Sequence, residues 1–445
     1  MVVGAGTAGA HAAGLLAAQG RSVLLLERRS FDRGGAHWLN GVVDWQFAQA
    51  GVAPPAGAER VGGDNAVHMR TPYDEPGVVV RDSPVVGVDM ALLGARLRSR
   101  AVAAGVEVSD GVGALSPVEH AGRVVAVETE RASDGSSLRA EAALFVDASG
   151  WRGALRSRSS VLARWCRPVA PTERCSAADV ILSLADVDGA RRQLDRWGAV
   201  PGDAVNVLGS AGGFSTRSVT VADDFSHVRV LVGCLADGRH GPAPRMLDEL
   251  RSAMTWIGDR IHGGAGLIPL RRPFPRFTAP GLALVGDAAG QVFPAHGSGV
   301  GMGLLAGSVL AEVLDSAEDP GDEMSLWRYQ HEFQRRFGPD LAFYDGFRRY
   351  SSAIGSGGVR ALLRSGLLSE RLARGGLNQT RSLPRPGDLP AMLAGAARAP
   401  WAALGVAAAS ARCSAAALVA ARHPVEPDLR ALAAWDRRLA TLVGS

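Results

Sequence analysis

Three short apolar runs set the frame of this chain: Val2-Val3, Val23-Leu24-Leu25-Leu26 and Leu282-Ala283-Leu284-Val285. The first and third lead through glycine-rich loops into long apolar helical stretches, and the second ends at Glu27. After the first run, His11 to Ala18 has helical character and Gly20 closes it. Residues 89–104 carry Leu92, Leu93 and Leu97 at helical spacing and stop at Gly105, and Val106-Glu107-Val108 follows as a strand. Residues 123–130 and 138–146 read as two strands around Ser133-Asp134-Gly135-Ser136, a hairpin signal. Strand-like runs at 179–184, 217–221 and 228–235 predict a mostly antiparallel sheet, and the pattern is helical from Met324 onward. There Trp327, Tyr329, His331, Phe333 and Phe337 crowd the first turns, and Leu383-Pro384-Arg385-Pro386-Gly387 breaks the run. No internal repeat is evident.

Val3-Gly4-Ala5-Gly6-Thr7-Ala8-Gly9 matches the G-x-G-x-x-G fingerprint, in the strand–turn–helix–strand–acid order that gives the motif meaning. Gly4 suits the tight turn, Gly6 a close approach to a pyrophosphate, and Gly9 the packing of helix on strand. A diphosphate there would meet free N–H groups and the positive end of the helix dipole. Glu27 would accept from an adenosine ribose. The more specific block is Gly286-Asp287-Ala288-Ala289-Gly290, followed by Pro294, His296, Gly297 and Gly299. It sets a carboxylate at a strand end and a helix N-terminus just beyond. That arrangement suits a sugar-alcohol chain and a flat, charge-accepting ring, and with the fingerprint it points to FAD.

These motifs, with the Asp147-Ala148-Ser149-Gly150 turn, resemble the para-hydroxybenzoate hydroxylase-like structural class, which includes flavin monooxygenases and halogenases. Within it the chain is most similar to the geranylgeranyl reductase family, over about residues 1–320. The resemblance implies an α/β fold: a Rossmann-type FAD-binding domain with an inserted, mostly antiparallel β-sheet substrate domain and a helical C-terminal region. The expected boundaries are 1–55, 85–155 and 275–323 for the FAD-binding domain, 56–84 and 156–274 for the substrate domain, and 324–445 for the helices. Carried over position by position, the FAD contacts fall at Gly4, Gly6, Thr7, Ala8, Gly9 and Glu27, at Trp38, Leu39 and Gly41 beside the flavin, and at Ala114 on the adenine side. Asp287 would hold the ribityl chain, and Gly299 and Val300 would present N–H groups to the pyrimidine edge of the ring, where a helix N-terminus stabilises negative charge.

The chain also departs from the family. Met90 stands where an arginine is common, and Gly212-Gly213-Phe214-Ser215-Thr216-Arg217 replaces a Tyr-x-Trp-x-Phe-Pro element. Met254-Thr255-Trp256-Ile257-Gly258 is not the Trp-x-Trp-x-Ile-Pro element of halogenases. No residue is lysine, so all 48 basic residues are arginine and a catalytic lysine is excluded. The implied activity is FAD-dependent reduction or dehydrogenation of a C=C bond in a hydrophobic small molecule. The alternative is a flavin monooxygenase of specialised metabolism, and a non-redox flavoprotein is a more distant one. NADPH or NADH as a transient reductant, or a separate electron-donor protein, would complete the cycle.

His296 is the candidate catalytic residue, as a proton donor beside the ring; a loop histidine bonded to backbone is the plainer alternative. His37 and Asn40 share that ambiguity. Trp45, Phe47 and Phe214 are candidates for an apolar pocket or for ordinary core. A net charge of +4 gives no reason to expect nucleic acid. Four scattered cysteines suggest reduced thiols in a cytoplasmic protein, with no metal site. The N-terminus enters the fold at once, so no signal peptide is expected. No apolar run is expected to span a bilayer: the alanine-rich stretch 401–421, broken by Arg412, reads as a packed helix with peripheral membrane contact at most. The arginines between 360 and 385 suggest a solvated face, or a dock for an acidic carrier protein or a diphosphate.

Overall fold

The computed structural model describes residues 1–445 except 64, 74, 76, 131–136, 213 and 383. Its central sheet has six strands in the order Thr278–Ala279, Leu282–Leu284, Phe145–Asp147, Val2–Val3, Leu24–Leu26, Glu107–Ser109. All neighbours are parallel except the Thr278–Ala279 edge. The first strand is two residues long, yet it is paired on both sides, Val2 with Val146 and with Leu25. Parallel strands covered on both faces are expected to be continuously apolar, and Val2–Val3, Leu24–Leu26 and Leu282–Leu284 are, whereas the edge strand Glu107–Ser109 carries polar, partly exposed residues.

The helix Thr7–Ala18 packs on both Met90–Ala103 and Val300–Leu314 through small residues. A Cβ added at Gly14 would lie 3.2 Å from Ala101 Cα, and one at Gly307 3.3 Å from Ala12 Cβ, so side chains at those points would hold the helices apart. Asp89 caps the Met90–Ala103 helix by accepting from the Ala91 and Leu92 N–H groups.

A seven-stranded sheet forms the second layer, in the order Ile257–Pro269, Arg174–Leu184, Val228–Leu235, Ser215–Val221, Ala204–Leu208, Val67–Arg70, Val78–Val80. It is antiparallel except where Ala204–Leu208 meets Val67–Arg70. Its far face packs against the helices Val187–Trp197 and Ala243–Ala253, with Val180, Val219, Val230, Leu194 and Leu250 buried between them. A small sheet of Leu39–Val43, Val85–Asp89 and Arg60–Gly63 contributes a further layer, and its Leu39–Val43 strand also meets the Arg174–Leu184 strand of the large sheet.

Several elements differ from expectation. Residues 138–146 are not one strand: Ser137–Glu141 pairs antiparallel with Arg123–Glu130, whereas Phe145–Asp147 joins the parallel sheet. The chain turns between them because the two segments serve different sheets. The turn expected at 133–136 lies outside the described residues. The Ile257–Pro269 strand and the helices at 187–197 and 243–253 carry no counterpart in the sequence reading.

The C-terminal region opens with Glu323–Ser365, two helices joined at Gly355, where φ is 62° and ψ −170°. Tyr329 and Phe333 set their rings edge-on to Phe277, at 5.6 and 6.0 Å between centroids. Shorter helices follow at Glu370–Leu377, Leu389–Arg398, Pro400–Ala420 and Leu429–Val443. The expectation of no membrane-length run needs correcting. Pro400–Ala420 is long and apolar enough, by length and composition, to cross a bilayer, and 22% of its most apolar stretch is buried. Arg412 and the small polar residues do not break it.

Candidate active site

The loops after the parallel strands converge on one cavity of 1410 Å³, at the carboxyl ends of the strands where this fold places its ligands. Gly4, Gly6, Thr7 and Ala8 line it after the first strand, Glu27 after the second, Ala148 to Ala154 after the third and Gly286-Asp287 after the fourth. Arg28, Arg29, Arg152 and Arg158 make the fingerprint end basic. The opposite side is apolar, built from Trp38, Met90 and the Gly263-to-Ile268 stretch of the last substrate strand.

At Gly4 and Gly9 the backbone admits no side chain. Gly4 has φ 102°, and a Cβ there would sit 2.6 Å from the Ala148 carbonyl oxygen. A Cβ at Gly9 would lie 1.9 Å from the Gly4 oxygen. The Glu27 carboxylate accepts from the Ala5 N–H at 2.8 Å and the Arg29 N–H at 3.0 Å, so it braces the fingerprint turn as well as facing the cavity. Asp147 is fully buried and accepts from the Ser149, Leu155 and Arg156 N–H groups, which shapes the third loop.

Two helix N-termini open on this cavity. The helices beginning at Met90, Val187, Glu323 and Leu429 each have their first N–H groups capped by an aspartate. Thr7–Ala18 and Val300–Leu314 begin at Gly6 and Gly299, with no side-chain cap and no acid in the first turn. Their orphan donors face the space where a ligand would complete them. This pair of uncapped ends, separated along one elongated cavity, fits a dinucleotide with a diphosphate at one end and an electron-accepting ring at the other.

The Asp287 carboxyl also lines the cavity, and burial raises its pKa to about 6 against the pull of Arg156. Its loop is held from behind. The Gly286 N–H donates to Gln291 Oε1 at 2.6 Å, Gln291 Nε2 to the Tyr329 hydroxyl at 3.0 Å, and that hydroxyl to the Leu284 carbonyl at 2.9 Å. Gln291 and Tyr329 are fully buried. No sequence signal marked Gln291, and Tyr329 registered there only as an aromatic. Arg98 was also missed. It is buried and donates to the Gly34 and Asp32 carbonyls, tying the loop before Trp38 to the fingerprint.

Of the positions expected to touch the cofactor, Gly4, Gly6, Thr7, Ala8, Glu27, Trp38, Ala114, Asp287, Gly299 and Val300 line the cavity. Gly9, Leu39 and Gly41 do not. Gly9 serves the helix–strand contact already described. The segment around Trp38 is the start of a strand rather than a loop, so its side chains alternate: Trp38 and Asn40 face the cavity, and Leu39 is core. Gly41 acts through its carbonyl, which accepts from Ser298 Oγ at 2.8 Å and pins the 294–299 loop.

Trp38 lies flat on a strip of glycine. A Cβ at Gly266 would meet its Cη2 at 2.5 Å, and one at Gly264 its Cε3 at 3.3 Å. His296 is not among the cavity-lining residues. Its Nε2 faces the Gly376 carbonyl at 3.2 Å and its ring lies 4.7 Å from that of Phe293. His296 keeps an exposed edge, and crowding of its ring by the surrounding protein lowers its pKa to about 4. His37 Nε2 meets the Arg33 carbonyl at 3.0 Å. Phe47 is core, Phe214 packs beside Leu270, and Trp45 lines a separate cavity of 300 Å³ with Phe293 and Phe337. The four cysteines are unbridged, and among the described residues no group of side chains is arranged to hold a metal ion.

Residues 2–42 match the NAD(P)-binding Rossmann-like domain. The digeranylgeranylglycerophospholipid reductase of Sulfolobus acidocaldarius is 24% identical over 394 residues, 83% of this chain and 81% of the relative. The crystal structure of a geranylgeranyl bacteriochlorophyll reductase-like protein from Thermoplasma acidophilum superposes with a TM-score of 0.71 at 18% identity, covering 92% of this chain and 98% of that one. A myxobacterial FAD-dependent chondrochloren halogenase superposes with a TM-score of 0.57 at 16% identity, covering 100% and 96%. The fold is therefore that of the geranylgeranyl reductase-like and halogenase flavoproteins.

Proposed function

We propose that this chain, which shares its fold and most of its length with geranylgeranyl reductase-like flavoproteins, is an FAD-dependent oxidoreductase that reduces a C=C bond in a hydrophobic, isoprenoid-type molecule. The carrying observation is the cavity itself: two uncapped helix ends bracket it, and its far wall is the apolar surface of Trp38, Leu267 and Ile268. FAD, when bound, supplies the electron pair. The protein's part is binding and exclusion of water. Gly6, Thr7 and Ala8 would cradle the diphosphate, Glu27 the adenosine ribose and Ala114 the adenine. Asp287 would take the ribityl hydroxyls, and the Gly299 and Val300 N–H groups the pyrimidine edge.

In this reading His296 is a positioning residue. It is neutral at pH 7, and an Nε2–H donating to the Gly376 carbonyl holds the 293–298 turn against the C-terminal helices. The proton that completes reduction would then come from solvent or from the substrate's surroundings. With no lysine in the chain, halogenation by a lysine-dependent route has no candidate residue. NADPH or NADH, or a separate donor protein, would return the electrons.

The test is single turnover with purified, flavin-loaded protein. Reduced anaerobically and mixed with a geranylgeranyl lipid, it should reoxidise as the lipid gains two hydrogens per bond, read by mass spectrometry. If reoxidation instead requires O₂ and the product gains an oxygen atom, the monooxygenase reading replaces this one. A protein that binds no flavin would remove both.

A further inference from the structure

The helices Leu389–Arg398 and Pro400–Ala420 present an apolar face that the fold does not cover. Leu389, Leu393, Trp401 and Leu404 are 52, 70, 62 and 74% exposed. From residue 389 to 411 the one charged side chain is Arg398. The helical repeat accounts for the exposure. In Pro400–Ala420, Ala402, Ala409, Cys413, Ala416 and Ala420 form the buried side, and the helix packs on Glu323–Ser365. Trp401, Leu404, Ala408, Ala411 and Leu418 lie together on the other side at 3.6 residues per turn. Small residues pack inward and large ones point outward, the reverse of an ordinary surface helix. Contiguous exposed apolar surface of this kind marks an interaction site.

Charge borders the face. Arg385, Arg398 and Arg412 flank it and have no carboxylate partner among the described residues. Arg398 Nη1 reaches the Ser365 carbonyl at 3.3 Å, beside the exposed Arg364. The acid in this stretch, Asp388, is already engaged by Arg371 at 3.1 Å and by the Arg385 N–H at 2.7 Å. An apolar surface with an exposed tryptophan and a rim of uncompensated guanidinium groups matches an anionic lipid surface: acyl chains for leucine, the headgroup boundary for tryptophan, lipid phosphates for arginine.

We infer that the Leu389–Arg398 and Pro400–Ala420 helices dock this protein in the plane of an anionic membrane, as a monotopic contact. This is independent of the reaction assigned to the cavity, and it gives an anionic partner to Arg385, Arg398 and Arg412, of which the last two meet only the Ser365 and Leu442 carbonyls among the described residues. The face of Pro400–Ala420 that packs on the long helix stays with the protein, so the helix lies on the bilayer and does not cross it.

The experiment uses the full chain with vesicles of phosphatidylcholine alone or with phosphatidylglycerol. The protein should sediment with the anionic vesicles, bind the neutral ones at least about tenfold less, and release partly in high salt. Leu393→Glu/Leu404→Glu should lower binding about tenfold or more while flavin content and unfolding temperature stay unchanged. Should that variant fold poorly, lipids brominated on the acyl chain give a second reading. They should quench the fluorescence of the natural protein, and Trp401→Phe should remove most of that quenching. Absence of vesicle binding, binding that the glutamates leave intact, or a dimer that the glutamates dissociate would each overturn the inference, the last by making the face an interface between copies.

Discussion

Asp287→Asn separates the cost of the empty site from its value to the cofactor. The Asp287 carboxyl rises from 3.8 to about 6 in the folded, flavin-free protein because burial disfavours its charge. Between about pH 4 and 6 the folded state therefore keeps a proton that the unfolded chain has released. Stability from this group falls as pH rises through that window and stays low above it. At roughly 1.4 kcal/mol per unit, the two-unit shift costs about 3 kcal/mol at pH 8. Asparagine keeps the shape and removes the charge, so the flavin-free variant should be more stable than the natural protein by about 3 kcal/mol at pH 8. It should be equal below pH 4. With an unfolding entropy of about 2.1 cal/mol/K per residue, that is a rise of about 3 °C for a chain unfolding as one unit. Flavin binding should move the other way. Replacing a charged acceptor for ribityl hydroxyls by a neutral amide forfeits about 1.5–3 kcal/mol, a loss of about tenfold to a hundredfold in affinity. Thermal unfolding of the stripped protein at pH 4, 6 and 8, with flavin titration by fluorescence quenching, reads both. Equal unfolding temperatures at pH 8 would refute the desolvation argument, and unchanged flavin affinity would remove Asp287 from the binding site.

Gly266→Val should drive the Trp38 ring off the Gly264–Gly266 strip and into the cavity, lowering substrate affinity. Trp38→Ala in the same chain should restore part of it, a coupling of about 1 kcal/mol or more in a double-mutant cycle, whereas strict additivity would mean the ring does not rest there. His11 and His423 are buried bases held neutral, chiefly by desolvation, at about 4 and about 3. The unfolded chain takes up their protons below about 6.5 and the folded one does not. Stability from each should thus fall by about 1.4 kcal/mol per pH unit as pH drops from about 6.5 to about 4, and His423→Gln should remove about 1.4 kcal/mol per pH unit from the slope measured in chemical denaturation. His296→Gln, which can still donate to the Gly376 carbonyl, should keep turnover within about threefold and leave the pH profile unmoved; a profile that loses a limb would make His296 a proton donor after all.

Much of the nucleotide fold was legible because its signals are local. A two-residue strand, a fingerprint and an acid at the end of the next strand all lie within 27 residues, and their backbone demands show as glycine. The Gly286–Gly301 block was legible for the same reason. The Ile257–Pro269 strand was not. Its Gly263, Gly264 and Gly266 gave no strand signal, since glycine weakens a strand where nothing else fills the space. Here a ring from residue 38, more than 200 positions away, fills it. A separation of 38 positions likewise hid Gln291 and Tyr329: a buried glutamine is legible only once its partner's helix is seen to lie behind the loop. Leu39 and Gly41 stand off the cavity wall by a matter of period. A loop would present consecutive residues to the ring, whereas a strand presents every second one.

The arginine-only composition was plain in the sequence, but its structural use needed the fold. Asp345 is fully buried on the long helix, and although burial would raise it, Arg349, Arg348 and Arg272 hold it below the usual carboxylate range. Glu173, from the start of the substrate sheet, is drawn to about 2 against its own burial by Arg167, Arg271 and Arg349. Arg349 touches both acids, at 3.0 and 2.7 Å, and so ties the C-terminal helix to the substrate layer. Arg271 stacks on Phe274 at 4.5 Å, and Arg156 lies over the same ring at 4.8 Å while its guanidinium donates to the Ala288 and Trp151 carbonyls behind the cavity loops. A lysine buried this deeply would tend to lose its proton and leave the acids unpaired, whereas guanidinium stays charged and offers several donors to several acceptors at once. The long helix beyond residue 323 is thus coupled by permanent charge to the start of the substrate sheet, and Arg349→Leu, 21% exposed at the side chain, should leave Glu173 and Asp345 short of a partner and lower the unfolding temperature.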